Sequence, residues 1–158
     1  ISHEEIDRAV SLKARQRQFI FSHESVFPLF FSFSAAEMLN EMISRINGES
    51  RLRFIHWSAH DGNILAFLGF LGYSDGKWPP YGSYITVELW KSRSKMRNYF
   101  VQFWYNGKKL NVHRFRNTSK VSFIEFKDFV NHHLPDIEKD CKFNVTEFKS
   151  EDTFMILN

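Results

Sequence analysis

The sequence predicts an α/β fold, a mixed sheet with flanking helices, formed as a single unit over residues 1–158. Three observations predict it. One helix-start signal, a Ser followed three residues later by Glu, occurs three times, each time beside apolar residues at helical spacing. Between the second and third of these signals the apolar period changes to two, the spacing of a strand. Finally, 18 Phe, 5 Tyr and 4 Trp need an interior, while 7 Gly and 4 Pro are too few for a linker or a collagen-like chain. A chain of this size buries roughly 70% of its extended surface on folding, so a real core is available and global disorder is excluded.

The elements follow in order. Ser2 with Glu5 opens a first helix running to about Arg17, with Ile6, Ala9, Val10 and Lys13 along one side. The run Phe27–Phe33 reads as buried core. Ser34 with Glu37 opens a second helix carrying Ala35, Met38, Leu39, Met42, Ile43 and Ile46, with Phe33 stapled onto Met38 and Asn47-Gly48 as the stop. Arg53–Trp57 reads as a short strand. Ile64–Leu71 reads as a helix ended by Gly72. Tyr84–Trp90 alternates, with Ile85, Val87 and Leu89 on one face and Tyr84, Thr86, Glu88 and Trp90 on the other. Tyr99–Tyr105 is the next strand, Asn106-Gly107 a tight hairpin turn, and Lys109–His113 the returning strand. Ser122 with Glu125 opens the last helix, which leads Phe126, Phe129, Val130 and Leu134 into Pro135. This order predicts one parallel crossover and an antiparallel meander.

Charge and cysteine content exclude several classes of function. Lys and Arg number 21 against 18 Asp and Glu, a formal charge of +3, which permits an anionic ligand without predicting a nucleic-acid binder. Cys141 stands alone, so the chain holds neither an internal disulfide framework nor a multi-cysteine metal site. No stretch is long and apolar enough to span a bilayer. Asn117-Thr118-Ser119 and Asn144-Val145-Thr146 have the form of glycosylation acceptors, which fits a secreted glycoprotein and would leave Cys141 to pair outside this chain. The chain begins at Ile1 with no signal-peptide pattern, as one processed or cut from a longer protein would.

The chemistry is concentrated between His56 and Trp90. The expected strand ends at Trp57-Ser58-Ala59, His60-Asp61 follow at once, and Gly62-Asn63 open the next helix. Two ionisable side chains thus fall at the carboxyl end of a strand and the amino end of a helix, where α/β sheets bind anionic ligands. On spacing alone, Asp61 as a helix N-cap and His60 as a loop histidine bonded to backbone is the favoured reading. Ser58, His60 and Asp61 are too close in sequence to form a nucleophilic triad. His132-His133 read as surface histidines rather than metal ligands, and Lys91, Arg93, Lys95 and Arg97 as a solvated loop. Phe100, Phe103, Trp104 and Tyr105 read as core rather than a stacking platform for bases.

Ser58-Ala59-His60-Asp61, Trp78-Pro79-Pro80-Tyr81-Gly82-Ser83 and Val87-Glu88-Leu89 resemble the carboxyl-terminal portion of the histidine acid phosphatase family, clade 2 of the histidine phosphatase superfamily. The likeness extends back to the Ala35–Ile46 helix and on through Tyr105-Asn106-Gly107, the Phe126 helix and Cys141. It implies a phosphoglycerate-mutase-like architecture, of which this chain holds the carboxyl-terminal half. It also implies hydrolysis of phosphomonoesters through a phosphohistidine, without a cofactor or metal, in an enzyme that is secreted or resides in a lysosomal or other endomembrane lumen.

By that resemblance His60 donates to phosphoryl oxygens and Asp61 is the general acid that protonates the departing alkoxide. The family's nucleophile lies in an Arg-His-Gly-x-Arg-x-Pro motif, and no Arg-His-Gly occurs in this chain. An upstream half or second chain carrying that motif is therefore an expected partner. Gly62 and Asn63 stand where many relatives have two threonines, and a cysteine pair that relatives often carry is absent around Arg116–Val121. In relatives the cysteine aligned with Cys141 pairs with one in the upstream half. The alternative is a non-catalytic, phosphatase-like binding or structural module. A sheet lacking its partner half would expose apolar surface and an open strand edge, so a dimer or heteromer is expected.

Overall fold

The computed structural model of the chain describes residues 1–23, 25–93, 98–136 and 139. Cys141, Asn144, Lys95 and Arg97 lie outside the described residues.

Helix α1 (His3–Ser22) starts where the capping box requires. The Ser2 hydroxyl accepts the Glu5 N–H at 3.2 Å, and Glu5 Oε2 accepts the Ser2 N–H at 2.7 Å. The helix runs past Arg17 to Ser22, and its buried face is not the expected one. Ala14, Gln18 and Phe21 are buried, whereas Ile6 and Val10 are 47% and 46% exposed and Ala9 and Lys13 are exposed as well. Only the second half of α1 reaches the body of the protein, so apolar spacing in the first half selects no partner.

Helix α2 (Phe27–Asn47) begins seven residues before the expected Ser34. Pro28 sits in its first turn, where a fixed φ is already helical and the missing N–H leaves no bond unmade. The aromatic run is therefore helical, and it is buried on one stripe only. Phe27, Phe31, Ala35, Leu39 and Met42 form that stripe, while Leu29, Phe30 and Phe33 are exposed. Ser34 and Glu37 lie on the helix surface, and the capping box and the Phe33 staple expected there are not formed. The expected stop holds: Gly48 takes φ +82° and donates to the Arg45 carbonyl.

Helix α3 (Asp61–Phe70) is buried on every side from Leu65 onward. Its end is closed by Gly72 at φ +69° and by the Tyr73 N–H on the Leu68 carbonyl at 2.8 Å.

The expected strand Arg53–Trp57 is not formed. A strand requires a ladder partner, and no described strand lies beside this segment. It is solvent-exposed apart from Ile55, with Phe54 at 80% and Leu52 at 55%. The parallel crossover expected through it is accordingly absent among the described residues.

The described sheet is antiparallel and centred on β2 (Tyr99–Tyr105). Strand β1 (Ile85–Lys91) runs along one edge of β2 from Ile85 opposite Tyr105 to Lys91 opposite Tyr99. On the other edge β3 (Lys108–Lys109) pairs with Trp104 and Tyr105, and β4 (Val121–Ser122) with Phe100 and Val101. Asn106 and Gly107 take φ of 47° and 76°, the left-handed pair a two-residue hairpin demands. The returning strand is shorter than Lys109–His113. Leu110 still bonds the Phe103 carbonyl, but Val112 then bridges to Thr118 and His113–Phe115 form a 3-10 turn. Val121 takes the place beside Val101.

Helix α4 (Phe123–His132) starts at Ser122 as expected, without the side-chain half of the capping box. Glu125 instead approaches Arg116 at 3.9 Å. Phe126 and Val130 are buried. Rings from three helices and the sheet meet in the core: Phe31 stacks on Phe67 at 4.2 Å, and Phe103 meets Phe126 at 5.7 Å. Each such pair adds about 0.5–1.5 kcal/mol beyond area burial. The chain is α/β in character, with helices packed against this open sheet.

Candidate active site

The amino end of α3 carries the two residues singled out by sequence. His60 is the N-cap, with extended backbone (φ −105°, ψ 167°), and Asp61 is the first helical residue. The reading of Asp61 as the N-cap is thus corrected by one position. His60 is held through its backbone: its N–H donates to Asn63 Oδ1 at 3.1 Å, and its carbonyl accepts the Asn63 N–H at 3.0 Å. Both side chains are exposed rather than locked into the interior.

The Asp61 carboxylate is fixed at both oxygens. Oδ1 accepts the Gly62 N–H at 2.7 Å, and Oδ2 accepts the indole N–H of Trp78 at 2.8 Å. A carboxylate has about four lone-pair sites, so each oxygen keeps one direction open to a ligand. The exposed N–H groups of the helix start favour an anion in the same place.

The Trp78 motif is built to present that indole. Pro80 to Ser83 form a tight turn: Ser83 N–H bonds the Pro80 carbonyl at 3.2 Å, and Gly82 at φ +72° occupies the third position. Asn106 fastens this turn to the sheet, accepting the Tyr84 N–H at 3.0 Å and donating to Ser83 Oγ at 3.2 Å. Tyr105, 7% exposed, lies beneath, its phenol pushed above its ordinary pKa by burial.

Three features escaped the sequence reading. Gln18, 2% exposed, holds the loop before Trp78, donating to Asp75 Oδ1 and the Lys77 carbonyl and accepting from the Gly76 N–H and the Ser74 hydroxyl. A Gln near the end of a surface-looking helix gives no sign of this. Arg114 lies over the Phe27 ring at 4.3 Å and donates to the carbonyls of Ser22 and Gly69. His133, expected at the surface, is half-buried against Phe129 and Phe27, with Nδ1 2.8 Å from the Phe129 carbonyl.

The remaining candidates resolve simply. His132 and His133 rings lie 5.0 Å apart, and no group of three metal-ligating side chains occurs among the described residues. Phe103 and Tyr105 are core, and Lys91 and Arg93 are exposed. A hollow of about 360 Å³ lined by Arg45, Ile46, Leu89, Lys91 and Tyr99 includes neither His60 nor Asp61. Among the described residues no helix is long and apolar enough to cross a membrane.

The chain is similar to several known proteins. Over 91 residues the chain is 32% identical to Counting factor 60 of Dictyostelium discoideum, covering 55% of this chain and 21% of that protein. Over 137 residues it is 28% identical to 2-phosphoxylose phosphatase 1 of Homo sapiens, covering 82% of this chain and 26% of that one. A 52-residue stretch is 40% identical to Lysophosphatidic acid phosphatase type 6 of Bos taurus, covering 33% and 12%. The matches thus span about a quarter or less of these relatives. The family model for branch 2 of the histidine phosphatase superfamily matches residues 32–106, the stretch that holds most of α2, all of α3, His60, Asp61, Trp78 and strands β1 and β2. Over this segment the chain is similar to the histidine phosphatase superfamily, branch 2.

Proposed function

We propose that the chain is the carboxyl-terminal part of a phosphatase that cleaves phosphomonoesters through a phosphohistidine, with the nucleophile supplied by an upstream half or a second chain. The observation that carries this reading is the Asp61 carboxyl, exposed at the start of α3 beside His60 and held by Trp78 and Gly62. In the first step the nucleophilic imidazole forms a P–N bond as the ester P–O bond breaks, and the departing alkoxide takes the proton of Asp61. In the second, water attacks phosphorus, the P–N bond breaks and the Asp61 carboxylate accepts the water's proton. His60 donates to the phosphoryl oxygens, where negative charge accumulates. The first step needs Asp61 in its protonated form.

The wider setting belongs to the same proposal. The enzyme is secreted or luminal and forms a dimer or heteromer. Asn117, exposed in a left-handed turn, is a glycosylation acceptor available there. The second reading, a non-catalytic binding module, is favoured by Gly62 and Asn63 standing in place of a threonine pair, with Asn63 Oδ1 taken up by the His60 N–H.

Leaving-group dependence separates the two. In the longer chain that includes the nucleophile motif, Asp61→Asn should lower kcat on an alkyl phosphate by about 10²–10⁴-fold and act far less on p-nitrophenyl phosphate, whose phenolate departs without a proton. Equal turnover of the alkyl ester by the variant rules out the acid role. The 158-residue chain alone should release little or no phosphate.

A further inference from the structure

The geometry points to Trp78 as the positioning residue of the proton donor, set in place by α1; this rests on the acid role proposed for Asp61. The indole N–H reaches Asp61 Oδ2 at 2.8 Å, while the backbone of Gly62 holds Oδ1 at 2.7 Å. One donor would leave the carboxyl free to rotate about its bond to Cβ. Two donors on different oxygens fix its plane and so decide which lone pairs face a bound ester.

The placement of Trp78 is itself built. Gln18 uses its full amide capacity on the loop just ahead, with two donated and two accepted bonds to Ser74, Asp75, Gly76 and Lys77. Lys13 Nζ lies over the Trp78 ring at 5.2 Å. Helix α1 thus grips both the loop and the ring. A buried glutamine with no spare bond costs more than an apolar residue unless its geometry is needed, and here the segment it orders leads directly to the indole.

Such a donor affects the reaction in a specific way. It changes how well Asp61 hands over a proton, and it touches neither the phosphoryl group nor the nucleophile. Its loss should therefore matter most where the leaving group needs that proton. Trp78→Phe tests this, since it keeps the ring and removes only the N–H.

The first measurement uses the 158-residue chain and no activity. In an NMR titration through the acidic range, the Trp78 Nε1–H resonance should move with pH in the native chain and stop moving in Asp61→Asn. A resonance indifferent to pH, or one that moves equally in both proteins, overturns the contact. The second uses the longer chain that includes the nucleophile motif. Trp78→Phe should lower kcat on an alkyl phosphate by about tenfold or more, leave KM unchanged, and alter p-nitrophenyl phosphate turnover by no more than about twofold. Equal loss on both substrates, or a lost cooperative thermal transition, makes Trp78 a purely structural residue and overturns the proposal. A full alkyl phosphate rate in Trp78→Phe beside a slow Asp61→Asn overturns it too, with the acid role intact. If Asp61→Asn itself shows no dependence on the leaving group, the acid role fails, and the indole titration separately decides the contact.

Discussion

Gly69 of α3 lies against the backbone of Phe21 in α1 so closely that a Cβ at position 69 would stand 2.5 Å from the Phe21 carbonyl oxygen. That gap lets the second half of α1 settle on α3, with Ala14, Gln18 and Phe21 inward. Gly69→Ala must push the helices apart, because the obstructing atoms are backbone and have no rotamer to change. It should destabilise the protein by about 1–3 kcal/mol despite the better helix propensity of Ala. A lower urea midpoint with unchanged slope is the expected result.

Arg114 joins the same junction from the opposite side. Its guanidinium lies over Phe27 at 4.3 Å and 5.6 Å from the Phe129 ring centre, and it donates to the carbonyls of Ser22 and Gly69. Arg114→Met keeps an apolar stem and loses both kinds of contact, and a cost of about 2 kcal/mol is expected in thermal denaturation. Arg114→Lys should recover little of it, since an ammonium is not a planar fork.

The start of α1 should weaken in acid. The Ser2 backbone N–H, and then its hydroxyl, hold the Glu5 carboxyl below its ordinary value of 4.5. A lowered folded value means stabilisation that is complete above the unfolded pKa and lost as pH falls through the folded one. Protection of the first-turn amides of α1, taken against their intrinsic exchange rates at each pH, should therefore fall as pH drops below about 4.5. Glu5→Gln keeps the bonds without a titrating group, so its exchange should lack this acid step.

Alkaline solution should weaken the region beneath the Trp78 turn. Burial raises the phenol of Tyr105, and burial followed by the Asp75 charge raises that of Tyr73. Folded phenols that hold their protons longer than unfolded ones contribute stability below about pH 10, lost as pH rises through their folded values. Stability measured from about pH 9 to 11 should fall less steeply in Tyr105→Phe than in the native protein.

Several elements could be read directly because their signals are local. The Ser2 and Glu5 pair starts α1, Gly48 and Gly72 end their helices, and Asn106-Gly107 makes the hairpin, each through bonds or backbone angles within a few residues. The alternation in β1 puts Ile85, Val87 and Leu89 against the core, as expected, for the same reason. Ser34 with Glu37 shows the limit: a local start signal that the fold does not use, since α2 begins earlier, with Pro28 in its first turn and the aromatic run inside the helix. Arg53–Trp57 shows another, since strand periodicity forms nothing without a neighbouring ladder.

The order of residues alone determined that His60 and Asp61 fall at the amino end of an apolar helix, because adjacency and capping are properties of neighbours in the chain. Tertiary structure decided which face of α1 is buried and which donor meets the Asp61 carboxyl. Trp78 is 17 residues from Asp61, and Gln18 is 57 residues from Asp75. Contacts at such separations depend on how helices approach one another, and that approach is controlled by the missing side chain of Gly69, a feature no local periodicity records.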